Sequence, residues 1–586
     1  MNQPHEPKLS ATNSNWHETG ADEWSDAVVA AMKLGGVDNL FFVSGTELTF
    51  YQEAIAKAEA KGWPAPKLIT MVQEATALHA AIGATMVSGK PAATAAHVDV
   101  GTLHYGAAIH SAWRSGSPVL LTAGAGPRAY PGSMRGARDI GVQWLQEPRD
   151  QGEIVRQYTK ADHRMEHQDN PGLMVSRLLQ IAMSEPKGPV YLSIPRETAM
   201  LPMPGSARFP TTNQLGVARL TAPSADDTRT IARWLVKAEN PCLYVDRIGR
   251  SAQAVAEVMR LAELLALPLM QSGLADRLNF PDSHPLGGTG PQPSEADVAL
   301  VMESFRPWSP EQAPAAGAKV AWICSDPVLS RHKTAEFCAD LWIPAGVAET
   351  ARALHEAATG MLDKSGLSRV ADRRKRLEER KKQMVAHVLK LGEDSGKQAA
   401  IAPRWLGYQM GKLLKPDMIL FNDAVSNASF VHAYAGRELP GTYFRSGSST
   451  GGWGSGASVG AKITLPDREV IHATGDGFYI FGSPIASLWA AANHKAPYLT
   501  VIFVNGSYHT GTTCVQQDYP DGYAAKAGFS GGTFTPPDFA KLAEAAGAYG
   551  ENVIETAEVG AALQRGLAQV RNGVPAVIAV RVQGPA

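Results

Sequence analysis

The chain has 586 residues, too many for one hydrophobic core, and three domains is the expectation. A formal net charge of −1 leaves no electrostatic footprint for nucleic acid or an anionic membrane, and no apolar run reaches the length of a membrane span. The 56 glycines and 39 prolines suit a loop-rich α/β protein, while the four cysteines (Cys242, Cys324, Cys338, Cys514) show neither C-x-x-C nor zinc spacing. They read as reduced thiols, and the polar first 20 residues carry no leader pattern, so the expected location is the cytoplasm.

From residue 20 to 205, strand-like runs ("NLFFVSG", "KLITMV", "AATAAHV", "PVLLTAG", "PVYLSIP") alternate with helical periodicity, the pattern of a doubly wound α/β domain. Within it Glu74 follows an apolar strand and opens a helix, where an acidic side chain also complements the helix dipole without further purpose. The stretch "LPMPGSARFPTTNQ" reads as a Pro-rich linker. A second α/β block spans 222–350, with strands "PCLYVD", "DVALVM" and "KVAWICS". Residues 351–400 read as a charged helical linker; acids interspersed among the bases of "VADRRKRLEERKKQMVAHVLKL" favour an exposed helix with i,i+4 pairs over a nucleic-acid patch. The last block, 401–586, carries the strands "DMILFND", "REVIHATGDG", "YLTVIFVN" and "PAVIAVRV". The expected fold is therefore α/β, three doubly wound parallel-sheet domains.

Chemistry concentrates in the last block. Val470–Thr474 and Tyr498–Val504 read as strands joined by a helix over Ser483–Asn493, so both strands open at the same sheet edge, where such sheets bind ligands. Asp476 and Asn505 leave those two ends and can meet in space. An Asp carboxylate, an Asn amide oxygen and a nearby main-chain carbonyl suit Mg²⁺ or Ca²⁺, and the glycines let the backbone approach a bulky anion. A lone Gly-Asp-Gly reads first as an ordinary strand-to-helix turn; its pairing with Asn505 shifts the balance to the metal. After it, "SYHTGTTCVQQDYPDGY" has the composition of a loop able to close over a substrate, and holds His509 and Cys514.

Gly475-Asp476-Gly477 followed by Asn505 resembles the thiamine-diphosphate fingerprint of the pyruvate decarboxylase/acetolactate synthase superfamily, with Val504 where that fingerprint usually has a first asparagine. The resemblance covers nearly the whole chain. It implies a pyrimidine-binding first domain, a central domain and a diphosphate-binding last domain. It implies Mg²⁺ held by Asp476, Asn505 and the carbonyl of Ser507, with Gly475, Gly477, Phe478 and Tyr508 around the cofactor. Trp453 stands where the family usually has a Leu, Ile or Met wedge under the cofactor. Glu74 falls on the glutamate that hydrogen-bonds the aminopyrimidine and helps activate the cofactor. Sites in this superfamily are shared between subunits, which implies a homodimer or homotetramer.

"AAHVDVGTLHYGAAIHSAWRSGSPVLLTAG" is similar to the active-site histidine segment of benzoylformate decarboxylase-like members, and puts His97 on the catalytic position. In "SGTELTF" Gly45 takes the place of their catalytic serine, and "ADVALVMESFRPWSPEQ" offers Arg306 and Trp308 but no second histidine. The function implied is a decarboxylase or aldehyde lyase acting on a small 2-oxo acid, acyloin or aldehyde, with His97 as acid/base. An acetolactate-synthase-like carboligase is the alternative, followed by a 2-hydroxyacyl-CoA lyase or a cofactor-binding paralogue without turnover. The absence of a glycine-rich dinucleotide fingerprint in the central block disfavours FAD, and His104 and His509 are the next acid/base candidates.

Overall fold

The computed structural model describes residues 15–529 and 531–584, so the polar residues 1–14 lie outside the described residues. The chain forms two compact units, the first closing at Ala218 and the second running from Arg219.

In the first unit six parallel strands form one sheet. Across it they run Lys67–Met71, Asn39–Val43, Ala92–Ala96, Val119–Ala125, Val190–Pro195 and Asp162–Arg164. The chain starts its sheet at Asn39–Val43, adds the next strand on one side and the third on the other. That reversal leaves a crevice at the carboxyl ends of Asn39–Val43 and Ala92–Ala96. Helices cover the sheet, so Ala92–Ala96 and Val119–Ala125 are buried along their whole length, as parallel strands must be. The core on one side is built from Val28, Leu40, Phe42, Leu120, Leu178 and Leu192, each side chain contributing about 1.5–3 kcal/mol on burial.

The second unit holds two sheets. One has five parallel strands, in spatial order Leu269–Met270, Pro241–Val245, Val298–Met302, Lys319–Cys324 and Leu341–Pro344. The other has six, in the order Tyr443–Phe444, Ile419–Asp423, Val470–Gly475, Leu499–Val504, Ala576–Arg581 and Tyr549–Val553. Numbered by appearance, both six-stranded sheets read 2-1-3-4-6-5 and the middle one 2-1-3-4-5. The three α/β blocks expected from the sequence are thus three doubly wound sheets, and every one places its crevice beside its first strand. Among the described residues no helix is long and apolar enough to cross a membrane.

Three local expectations are corrected. The Pro-rich stretch is no linker: Pro202–Pro210 is a strand paired antiparallel with Trp16–Glu23. A two-stranded ribbon is all edge, where proline costs little. Residues 351–400 are not a linker set apart from the central block. Val347–Met361 is a helix that buries Val347, Ala351, Leu354 and Ala358 in the core of the five-stranded sheet. The next helix, Lys364–Ser395, buries Arg373, whose guanidinium donates to the carbonyls of Ala238, Leu265 and Ala266. Here a charged residue caps main-chain acceptors at the end of another helix rather than facing water. Finally, the stretch around His509 that reads as a loop holds a helix, His509–Asp518, in which Thr512 and Thr513 turn their hydroxyls back to the carbonyl of His509.

Candidate active site

In the first unit three strand ends at one edge of the sheet each deliver an acidic or basic group. Asn39–Val43 leads into the turn Thr46–Leu48 and delivers Glu47; Lys67–Met71 leads to Glu74; Ala92–Ala96 leads to His97. Glu47 is fully buried. Burial alone would push its carboxyl up, but hydrogen bonds from His97, Thr46 and Gln143 outweigh that and hold it at about 2. Oε2 lies 2.6 Å from His97 Nε2 and accepts from Thr46 Oγ1 at 2.7 Å, while Oε1 accepts from Gln143 Nε2 at 3.1 Å. An ionised carboxylate only accepts, so the proton of the pair sits on Nε2 of His97. Nδ1 is then the ring nitrogen that carries the lone pair.

His97 is held tightly. The residue after it, Val98, has φ 43°, a left-handed value that a β-branched residue adopts at a cost of about 1–3 kcal/mol. On the other side the His97 ring fills the space over Gly45, where a Cβ would come within 2.0 Å of Cδ2. Gly45 is therefore the residue that admits the imidazole to Glu47. The serine-for-glycine difference noted in the sequence leaves His97 not without a partner but with a carboxylate one.

Glu74 opens the helix Glu74–Ser88, whose start is capped by Gln73 Oε1 accepting from the Thr76 N–H at 2.7 Å. The Glu74 carboxyl is mostly buried, and its Oε2 lies 2.6 Å from Nδ1 of His104, a half-exposed side chain at the end of helix Val98–His104. His104, a reserve acid/base candidate by sequence, is thus the partner of Glu74. Glu47 and Gln143 were missed by sequence reasoning. Glu47 sits inside the quoted "SGTELTF", directly after an apolar strand, and its position was signal enough.

In the second unit, Val470–Gly475 and Leu499–Val504 are hydrogen-bonded neighbours, with Gly475 paired to Phe503. Asp476 and the loop from Asn505 consequently meet at one edge, as the spacing implied. Asp476 Oδ1 accepts from the Gly477 N–H at 2.8 Å, and Oδ2 from those of Asn505 and Gly506 at 2.9 and 2.6 Å. Its carboxyl is pushed up by burial, against these main-chain donors. Asn505 Oδ1 accepts from the Ser507 N–H at 3.0 Å. Tyr508 closes over Gly477, where a Cβ would meet its ring at 2.7 Å, and packs on Phe534. Phe478 lies against Gly451. Trp453, first residue of the helix Trp453–Thr464, is buried and meets Phe421 edge-on at 5.4 Å. His509 keeps a buried Nδ1 without a partner among the described residues, and Cys514 is exposed on the same helix.

The donor set fits a hard cation. Asp476 Oδ1 and Asn505 Oδ1 each accept one main-chain hydrogen bond, and each oxygen has a second lone pair. Among the described residues no three His, Cys, Asp or Glu side chains converge as a metal site. A cation here needs further oxygens from water or a bound diphosphate, which is how Mg²⁺ is usually held. A Cβ on Gly475 would meet nothing within 4 Å, leaving room for such a group.

Comparison with known proteins finds family matches at both ends of the chain. The family described as "Thiamine pyrophosphate enzyme, N-terminal TPP binding domain" matches residues 22–154, and "Thiamine pyrophosphate enzyme, C-terminal TPP binding domain" matches residues 423–580. A benzoylformate decarboxylase of Pseudomonas aeruginosa is 26% identical over 449 residues, 75% of this chain and 79% of its own length. A probable acetolactate synthase of Mycobacterium bovis is 25% identical over 560 residues, 94% of each chain. Among solved structures, a thiamine diphosphate-dependent 4-hydroxybenzoylformate decarboxylase of Rhodococcus jostii RHA1 superposes with a TM-score of 0.73 at 20% identity, covering 96% of this chain and 99% of that one, a likeness of fold.

Proposed function

The chain belongs to the thiamine pyrophosphate enzymes, and from that premise we propose that it is a decarboxylase or aldehyde lyase acting on a small 2-oxo acid. Bound thiamine diphosphate supplies the nucleophilic carbon and electron sink that let a bond next to a carbonyl break or form. The chain's own residues position, exclude water and move protons. Asp476, Asn505 and the carbonyl of Ser507 would hold Mg²⁺ against the diphosphate, with Gly475 and Gly477 giving the backbone close approach, Tyr508 and Phe478 flanking, and Trp453 beneath. Glu74 would hydrogen-bond the aminopyrimidine. His97, held at Nε2 by ionised Glu47, would deliver and accept protons through Nδ1.

The observation that carries this reading is the Glu47–His97 pair at the crevice of one sheet, in a chain whose last sheet has the same strand order and the Asp476–Asn505 set at its own crevice. A screen of 2-oxo acids, acyloins and aldehydes for CO₂ or aldehyde release, with and without thiamine diphosphate and Mg²⁺, tests it. No turnover together with no cofactor C2 hydrogen exchange would favour a paralogue that binds without reacting.

Carboligation of the acetolactate synthase kind is the second reading, favoured by the coverage of both chains in that comparison. Flavin content and the product formed from pyruvate separate the two. The carboxyl edge of the central sheet pairs its own charges, with fully buried Asp276 lying 3.5 Å from both Arg250 and Arg277, which supports a central domain without flavin.

The assembly we propose is a homodimer or homotetramer with sites shared between subunits. Large apolar side chains left exposed in each unit, among them Tyr130, Trp144 and Leu145 in the first and Phe481 and Ile485 in the second, support it. Four free cysteines fit a reducing cytoplasm.

A further inference from the structure

We propose that a cavity of about 290 Å³ lined by Gln271, Ser272, Ser429, His432, Tyr443 and Arg445 holds a second, distal carboxylate of the substrate, so that the preferred substrates are 2-oxo acids with an acidic far end. The inference rests on the 2-oxo acid reading above and names its substrate class.

The cavity stands at the same sheet edge as the Asp476 site by strand register. Asp423 pairs with Thr474, so Val425, which also lines the cavity, and Asp476 each stand two residues beyond a matched pair on adjacent strands. Adjacent strands are about 4.8 Å apart. Phe421 pairs with Phe444, so Arg445 leaves the next strand over at the same edge.

The lining carries one guanidinium and no carboxylate. Arg445 is anchored by its main-chain N–H to the carbonyl of Asp276 and by Nη1 to the carbonyl of Gly273, which leaves further N–H groups of the fork for a ligand.

His432 adds an unmet donor, and a chain of hydrogen bonds fixes which nitrogen bears it. The Gly249 N–H donates to Asn279 Oδ1 at 3.1 Å, so the amide nitrogen of Asn279 faces Gln271 and donates to its Oε1 at 3.2 Å. Gln271 must then present Nε2 to His432 Nε2, 3.2 Å away, and that ring nitrogen accepts. The ring proton is therefore on Nδ1, which is buried with no acceptor among the described residues. Burial holds the ring neutral, with nearby Arg445 and Lys381 acting the same way against Asp282. An unpaired buried donor costs about 1–3 kcal/mol, and only a turn of the ring would bring it to a ligand in the cavity.

The acid group so held is not the one that leaves as CO₂. A guanidinium clamped on the leaving carboxylate would stabilise the ground state over the transition state, where that charge disperses. A carboxylate that survives the reaction can be gripped at no such cost.

The test pairs 2-oxoglutarate with 2-oxopentanoate, equal in length and differing in the far end, and adds calorimetric titration of the full chain with glutarate, which lacks the reactive carbonyl. Wild type should favour the dioic acid in kcat/KM by about 10–100-fold, the worth of a charge-assisted contact. Arg445→Gln should bring that ratio towards one, mainly through KM, and abolish glutarate binding, while Arg445→Lys, which keeps the charge and the anchor to Gly273, should retain part of both. Turnover without preference, or an unchanged ratio in a folded Arg445→Gln, overturns the site and leaves the 2-oxo acid reading standing. Glutarate binding lost in Arg445→Gln, with no 2-oxo acid turned over by wild type, keeps the anion site and overturns the reading of the reaction instead.

Discussion

Nε2 of His97 lies 2.6 Å from Oε2 of Glu47, a carboxylate with no exposed surface that is nonetheless ionised. The pair fixes the tautomer of the proposed acid/base. Glu47→Gln presents a neutral amide that no longer compels the proton onto Nε2, and turnover should fall by about 10²–10⁴-fold, the usual worth of a placed acid/base group. His97→Ala should slow aldehyde release more than CO₂ release and raise the share of acyloin product. Unchanged rates and product ratio in both variants would make the pair structural.

The same pair predicts a pH dependence of stability. The Glu47 carboxyl is held at about 2 against an ordinary 4.5, so the folded state favours its ionised form. Its stabilisation is complete above 4.5 and is lost as the pH falls towards 2, about 3 kcal/mol in all. Denaturant unfolding at a series of pH values should show a shallower acid loss in Glu47→Gln than in wild type. Parallel curves would remove Glu47 from the acid response.

Gly45 is predicted to accept no side chain. Gly45→Ser puts a Cβ 2.0 Å from His97 Cδ2, and either the ring leaves Glu47 or the turn shifts. Overpacking of this kind costs about 1–3 kcal/mol, so thermal stability and turnover should drop together. A variant as active and stable as wild type would show that the ring has another place to go.

Asp476→Asn should abolish Mg²⁺-dependent cofactor binding. Wild-type metal affinity should weaken as the pH falls through the raised carboxyl range of Asp476, because proton and metal compete for one oxygen set. Asn505→Ala should also bind less tightly, through loss of a ligand and of the contact that orders Ser507. Calorimetry is the measurement, and cofactor affinity in Asp476→Asn equal to wild type ends the assignment.

Glu74→Gln should retain cofactor affinity while turnover falls, again by about 10²–10⁴-fold. His104→Ala, which removes the half-exposed partner of Glu74, should cost less. A Glu74→Gln variant turning over at the normal rate would reduce Glu74 to a helix-start residue.

The sequence by itself determined the alternation of buried strands and helices, the three sheets, and the meeting of Asp476 with Asn505. Each of these follows from hydrophobic period and from the rule that strands joined through a helix open at one edge. It also put His97 and Glu74 at the corresponding edge of the first sheet. What it could not decide were contacts among residues far apart along the chain: Glu47 against His97 across 50 positions, Gln143 behind them, and Arg373 capping a helix over a hundred residues away. Nor could composition show that Pro202–Pro210 pairs with Trp16–Glu23, or that a Gly- and Thr-rich stretch coils into His509–Asp518. Local pattern reports which face of an element is apolar. Only the tertiary structure decides which polar groups are buried together; the hydrogen bonds so formed keep Glu47 ionised against its burial and fix the His97 proton, and Nδ1 of His432 is left without a partner among the described residues.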